Sequence, residues 1–271
     1  MNLKKVFLTG LAAVSLIALV GGCGNSNDQA SKQEMPTKIV IGLDDSFPPM
    51  GFRDENNQIV GVDIDLAKEA AKRAGMEIEF KPIDWSSKEA ELKFHNIDAL
   101  WNGLTITPER EKNMIFSDPY MNDKELIVVK ADNTSITGKD SLADKVVGVQ
   151  QASAGEKALQ DDPNSSQIKE VKTYEDYVAC FNDLELGRID AIVADGVIAR
   201  YTMTKKPGAY KIIEGTDYGA DVFAVGFRKE DTALRDKFNQ ILIDMKKDGT
   251  ADKIMTKWFG TAADLDKSDV K

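Results

Sequence analysis

The chain has 271 residues, of which 45 are acidic and 35 basic, with one His and two Cys, for a formal charge of −10. That balance excludes the basic footprint nucleic acid requires, and it disfavours broad docking onto anionic lipid headgroups. A small anionic or zwitterionic ligand stays open, because local arrangement rather than net charge shapes a pocket.

The N-terminus reads as a targeting segment and is set aside before the fold is considered. Lys4 and Lys5 form its positive end, residues 6–20 are an apolar run, and Gly21-Gly22 lead to Cys23. A small-residue site ending at a Cys resembles the lipobox of bacterial lipoproteins. The resemblance implies a signal peptide over 1–22 cleaved before Cys23, diacylglycerol on the Cys23 sulfur with palmitate as an acyl chain, and a membrane-anchored protein outside the cytoplasm, most simply on a Gram-positive surface. The alternative, an uncleaved span, needs about 20 apolar residues, more than the run provides. Residues 23–37 are small, polar and without periodicity, which suits a flexible tether; residues 263–271 form a polar tail. With Cys23 lipidated, Cys180 has no thiol partner, and its apolar helical neighbourhood suits a buried small hydrophobe.

Residues 38–42 form a short β-branched strand, followed by a turn-rich loop over 44–51 and a second strand or turn edge at 58–61. Val62, Leu66, Ala67, Ala70 and Ala74 fall at helical spacing, with Gly75 as the stop. Residues 76–80 alternate like a strand, and 87–94 read as a helix. In the second half, 145–150 is a strand, Ser153 is an N-cap for a helix that includes 156–159, 174–186 is an amphipathic helix, and 188–195 is the strand that follows. Strand and helix alternate throughout, so an α/β fold with largely parallel sheets is expected.

The stretch 96–110 organises the rest. An apolar β-run, 97–100, passes a Gly-containing turn, and Thr107-Pro-Glu-Arg110 restarts as a helix, with Thr107 as N-cap and Pro108 at the first helical position. Arg110 in that first turn is suited to gripping a small carboxylate in bidentate fashion; a surface Arg paired with a nearby Glu is the alternative. Ile97-Asp98-Ala99 and Ile189-Asp190-Ala191 each follow a helix and a break, a weak repeat that hints at two similar lobes. Ligands would then sit at the C-terminal ends of the strands.

These residues resemble the family of solute-binding proteins of bacterial ABC importers for polar amino acids. The resemblance rests on Ser46-Phe-Pro-Pro49, Val60-Gly-Val-Asp-Ile-Asp-Leu66, Asn102-Gly-Leu-Thr-Ile-Thr-Pro-Glu-Arg110, Phe116-Ser-Asp-Pro-Tyr120, Val147-Gly-Val-Gln150, Gly187-Arg-Ile-Asp-Ala191 with Asp195, Gly226-Phe-Arg-Lys229 and Trp258-Phe-Gly260, in that order. It implies a two-lobe, type II periplasmic-binding-protein clamp, with lobe 1 over 38–124 and 222–262, lobe 2 over 125–221, and two crossing hinge strands. It also implies site roles. Arg110 would hold the ligand α-carboxylate, with backbone N–H groups at Thr105, Ser153 and Ala154 completing the cradle. Asp195 would pair with the α-ammonium, helped by the Gly103 carbonyl and the Thr105 hydroxyl, and Phe47 would lie against aliphatic carbons. Gly103 stands where some members have Ser, and Ala152 where Gly is common.

Asp44, Asp45, Trp85, Glu89, Trp101 and Asn102 are further pocket candidates. Trp85 and Trp101 could equally be core, Asp44 a turn cap and Glu89 solvated. His95 reads as a surface residue, and Asp63 and Asp65 as helix N-terminal acids rather than a catalytic pair. One His without a Cys or His cluster gives no transition-metal set, so neither metal nor cofactor is expected. The reading is a monomeric, non-enzymatic binding module serving an ABC permease. Two alternatives stand beside it: an enzyme on the same clamp, such as a cyclohexadienyl-type dehydratase, or a ligand-sensing domain.

Overall fold

The computed structural model describes residues 35–260; the targeting segment, Cys23, most of the tether and the polar tail lie outside them. In chain order the first elements are β1 (Lys38–Leu43), β2 (Ser46–Phe47), β3 (Gly51–Arg53), β4 (Ile59–Val60), α1 (Val62–Ala74), β5 (Glu77–Pro82), α2 (Lys88–Lys93) and β6 (Ala99–Leu100). Next come α3 (Pro108–Glu111), β7 (Ile115–Phe116), β8 (Met121–Lys130), β9 (Val146–Gln150), α4 (Ala154–Asp161), β10 (Glu170–Tyr174) and α5 (Tyr177–Glu185). The chain continues through β11 (Ala191–Asp195), α6 (Gly196–Lys205), β12 (Tyr210–Phe223), β13 (Gly226–Phe227), α7 (Thr232–Lys247) and α8 (Thr250–Phe259). Two expected helices are shorter than their patterns. A 3-10 turn over Trp85–Ser87 precedes α2, and Tyr174 ends β10 because Asp176 caps α5 by accepting the Ala179 N–H at 2.7 Å.

Two five-stranded sheets carry the fold, in the orders β5-β1-β6-β13-β7 and β10-β9-β11-β8-β12, beside a small sheet β2-β3-β4. The first two match position for position. β1 is parallel to β5 and β6, as β9 is to β10 and β11, and an antiparallel strand (β13 or β8) follows in each. This is the two-lobe α/β clamp. The Ile-Asp-Ala repeat has one structural job in both lobes. Asp98 accepts the Val40 N–H at 2.9 Å and Asp190 the Val146 N–H at 2.8 Å, so each carboxylate anchors the start of the neighbouring parallel strand.

The chain crosses between sheets just before β8 and just after β12. These two long strands pair antiparallel, and the expected lobe cuts after 124 and 221 fall inside them. Apolar residues fill both faces of each sheet: Trp85, Leu92, Ile97, Leu100, Leu104 and Met114 form one cluster, and Ile127, Val129, Val147, Val149, Leu159 and Val193 another. Cys180 is fully buried and lies within the largest cluster. Among the described residues no helix is long and apolar enough to cross a membrane.

Candidate functional site

Arg110 is placed by the cap the sequence announces. The Thr107 hydroxyl accepts the Arg110 N–H at 3.2 Å, and Pro108 occupies the first turn of α3. The guanidinium is buried, and burial holds its pKa below the usual arginine value despite nearby acids. It donates to the Thr105 carbonyl at 2.8 Å and, across the cleft, to the Ala152 carbonyl at 3.2 Å. Thr105 can supply that carbonyl because of its bridge to Phe223. There the ladder bonds are made by the Ile106 and Ala224 N–H groups, so the polar groups of Thr105 itself face away from β12.

Asp195 arrives from the other lobe, at the end of β11. A carboxylate there would ordinarily cap the next helix, but Asp123 takes the first N–H groups of α6, from Gly196 at 3.1 Å and Val197 at 3.2 Å. Asp195 makes no such cap and faces the cleft. Burial pushes it up to about 7, with Asp221 nearby adding to the rise and Arg110 opposing it.

Between them lies a narrow cavity lined by Asp44, Phe47, Trp85, Asn102, Gly103, Arg110, Gln150, Ser153 and Asp195. Gly103 adopts φ 58°, and its N–H donates to Asp63 at 2.7 Å. A Cβ at 103 would lie 2.8 Å from the Phe47 ring, so Ser there would be both strained and crowded. Ser153 caps α4 by accepting the Glu156 N–H at 2.9 Å. Ala154 opens that helix and lines the outer mouth of the cleft rather than the cavity. Asp44 does both jobs open to it: it accepts the Ser46 N–H as a turn cap at 2.8 Å, and it accepts Gln150 Nε2 from the other lobe at 2.7 Å. Burial raises it to about 6. Asn102 donates to the Asp44 carbonyl at 3.1 Å.

Several candidates fall elsewhere. Trp101 is fully buried against Tyr120 and Phe238, not in the cavity. Successive residues of an extended chain point to opposite faces, so Asn102 facing the cavity sends Trp101 into the core. Asp63 and Asp65 both lie in the first turn of α1, as their spacing suggests, but Asp63 does more than sit at a helix end. It is buried, accepts Gly103 N–H and the Tyr120 hydroxyl, and is pushed up to about 7 by burial against those bonds. Its job is to buttress the Gly103 turn. Asp65 pairs with Lys257 and accepts the Trp258 indole N–H at 2.8 Å. Asp45 pairs with Arg53, Glu89 accepts Asn113 at 2.7 Å on the outside of the cleft, and His95 is exposed.

Two cleft residues were not anticipated. Lys88, at the start of α2, is 3% exposed. It donates to the Trp85 carbonyl at 3.1 Å and, from the other lobe, the Ala152 carbonyl at 2.8 Å. Burial and then Arg110 lower it to about 7. Ala152, where Gly is common, sits at φ 57° and offers one carbonyl to both cations. Gln150 lay within a quoted motif without a role. Among the described residues no group of three or more His, Cys, Asp or Glu side chains is arranged to hold a metal ion.

Residues 39–261 match the family model described as bacterial extracellular solute-binding proteins, family 3. The L-cystine-binding protein TcyJ of Escherichia coli is 31% identical over 268 residues, covering 98% of each chain. An ancestral arginine-binding protein solved bound to arginine is 40% identical, with a TM-score of 0.79, covering 84% of this chain and 100% of that one. A substrate-binding protein of an ABC uptake transporter from Streptococcus pneumoniae, solved with bound histidine, is 34% identical at a TM-score of 0.78 over 83% of this chain and 93% of its own.

Proposed function

Because the chain belongs to the bacterial extracellular solute-binding proteins, family 3, we propose that it binds a polar L-amino acid and delivers it to an ABC importer permease. The observation that carries the reading is the convergence of Arg110 and Asp195, from opposite lobes, on one pocket in the cleft. Arg110 holds the α-carboxylate with the N–H groups of Thr105, Ser153 and Ala154. Asp195 holds the α-ammonium with the Gly103 carbonyl and the Thr105 hydroxyl, and Phe47 packs on the aliphatic carbons. Trp85, Asn102, Gln150 and Asp44 surround the ligand's side chain. An acid already bonded to an amide favours a neutral polar or cationic group there over a second carboxylate. Only the closed form lets both charged poles touch one ligand, so differential contact drives closure.

The protein acts as a monomer held outside the cytoplasm by lipid on Cys23. A matched charge pair that is satisfied in the bound state suits binding rather than stabilisation of a transition state, which is why catalysis is not part of the reading. The test is thermal unfolding of a soluble form beginning after Cys23, with each amino acid and with cystine. A ligand at 100 times its dissociation constant should add about 2.7 kcal/mol. A shift confined to one or a few polar amino acids is expected; none with any of them would overturn the proposal.

A further inference from the structure

Asp195 has an acidic neighbour with no role in the binding scheme above. β8 and β11 are antiparallel, and in their register Glu125 stands directly across from Asp195. Opposed residues share a sheet face, with Cβ atoms about 4.5–5.5 Å apart. Glu125 is 1% exposed, and neither of its carboxylate oxygens has a hydrogen-bond partner among the described residues. The carboxyl fits because position 155, in the first turn of α4, is Gly. A Cβ there would lie 2.8 Å from Glu125 Oε2 and 3.0 Å from the Tyr177 hydroxyl.

The groups facing Glu125 are Asp195 on β11, Asp123 on β8, Asp221 on β12 and Arg110 on α3 across the cleft, with the neutral hydroxyl of Tyr177 on α5. Three of the four charged ones are negative. Burial first, then those acids, raise Glu125 well above the ordinary carboxylate range, and Arg110 only partly opposes them. An ionised carboxylate with no donor is costly to bury, and a second one directly opposite more so.

We propose that Glu125 is a positioning residue for ammonium capture: with Asp195 it forms one acid pair that keeps a proton in the empty cleft and releases it when a ligand ammonium enters. The proposal rests on the zwitterion reading of the cleft. The balance is simple. One positive charge enters as –NH₃⁺, one O–H bond of the pair breaks, and its proton leaves to solvent. Affinity then rises with pH across the titration range of the empty pair, by up to about tenfold per pH unit for one proton, and levels off above it. A ligand analogue lacking the α-amino group leaves the proton in place and loses that dependence.

Calorimetry with L-glutamine and L-arginine as probes, at one pH near neutrality in buffers of different ionisation enthalpy, counts the protons released. Wild type should release a substantial fraction of one proton per ligand. Glu125→Gln, which is isosteric with the protonated acid, should release far less and show a flattened pH profile. Equal release by both proteins overturns the proposal. A second measurement needs no ligand: a carboxyl ¹³C NMR titration of the empty protein should place the Glu125 midpoint well above the usual range and lower it in Asp195→Asn. An ordinary midpoint overturns the acid pair. A raised midpoint in a protein that binds no amino acid would sustain the pair and overturn the zwitterion reading instead.

Discussion

The two charged poles of the cleft are built in opposite ways. At the cationic pole, Arg110 and Lys88 are each anchored by the protein itself, through the Thr105, Trp85 and Ala152 carbonyls, with N–H donors to spare for a ligand. At the anionic pole, Asp195 and Glu125 face each other in a buried space where Glu125 meets no donor among the described residues. Carbonyls hold a cation without neutralising it, so Arg110 is preorganised and keeps its charge, while burial brings Lys88 down to about 7. The second pole can hold its full charge only when a cation arrives from outside. Removing Arg110 should therefore act chiefly on binding, whereas neutralising the second pole should also change the stability of the empty protein.

The largest effect expected is on binding. Arg110→Ala should weaken the ligand by roughly 2–5 kcal/mol, as removing one member of a buried charge pair does, and calorimetry would measure it. Asp195→Asn should weaken binding as well, yet raise the melting temperature of the empty protein at pH 8. Near-native affinity in Arg110→Ala would break the assignment, and a lowered melting temperature in Asp195→Asn would break the contrast between the poles.

The next effect is on stability against pH. Asp44 is raised to about 6, and Asp63 and Asp195 to about 7, while unfolded aspartates titrate near 3.9. Between those values the folded protein binds more protons than the unfolded chain, so its stability falls as pH rises from about 4 to 7. Lys88 acts with the opposite sign over a different window. Lowered to about 7 against about 10.4 when unfolded, its cost is complete below 7 and is relieved as pH rises above it. The empty protein should melt higher at pH 5.5 than at pH 7.5, by at least the roughly 2–4 °C that 1 kcal/mol is worth in a domain this size. Saturating ligand should shrink the difference, and a flat profile in the empty protein would argue against the buried acids.

The smallest effect is spectroscopic. Trp85 lines the cavity and Trp101 lies in the core. Ligand should change the fluorescence of wild type and of Trp101→Phe, and much less that of Trp85→Phe, with affinity altered by under about 1 kcal/mol in the latter. A change that disappears with Trp101 instead would reverse the placement of the two rings.

How far each residue could be read follows from how local its cause is. Arg110 was legible because Thr107 and Pro108 act within one helical turn. The doubling of the lobes was legible because Asp98 and Asp190 anchor neighbouring strands in the same way. Trp101 was ambiguous because an aromatic after a two-residue strand shows its apolarity but not which face it takes. Asp63 was legible as an acid of the first turn of α1, but its burial was not, because the covering groups come from other parts of the chain. Here that terminus is covered by the Gly103 turn and Tyr120.

Lys88, Gln150 and Glu125 were illegible for a shared reason. Each belongs to a polar residue type that in its own segment reads as solvated, and each is buried in part by chain distant in sequence. Alternation, capping and the Ile-Asp-Ala repeat are short-range matters of backbone hydrogen bonding and apolar spacing, and the amino-acid order alone determines them. Which charges meet was decided only by tertiary structure, by strand pairing within one lobe for Glu125 and Asp195 and by contact between lobes for Arg110, Lys88 and Gln150. Desolvation depends on everything within a few ångströms of a group in space, and most of what surrounds these groups lies tens of residues away in the chain.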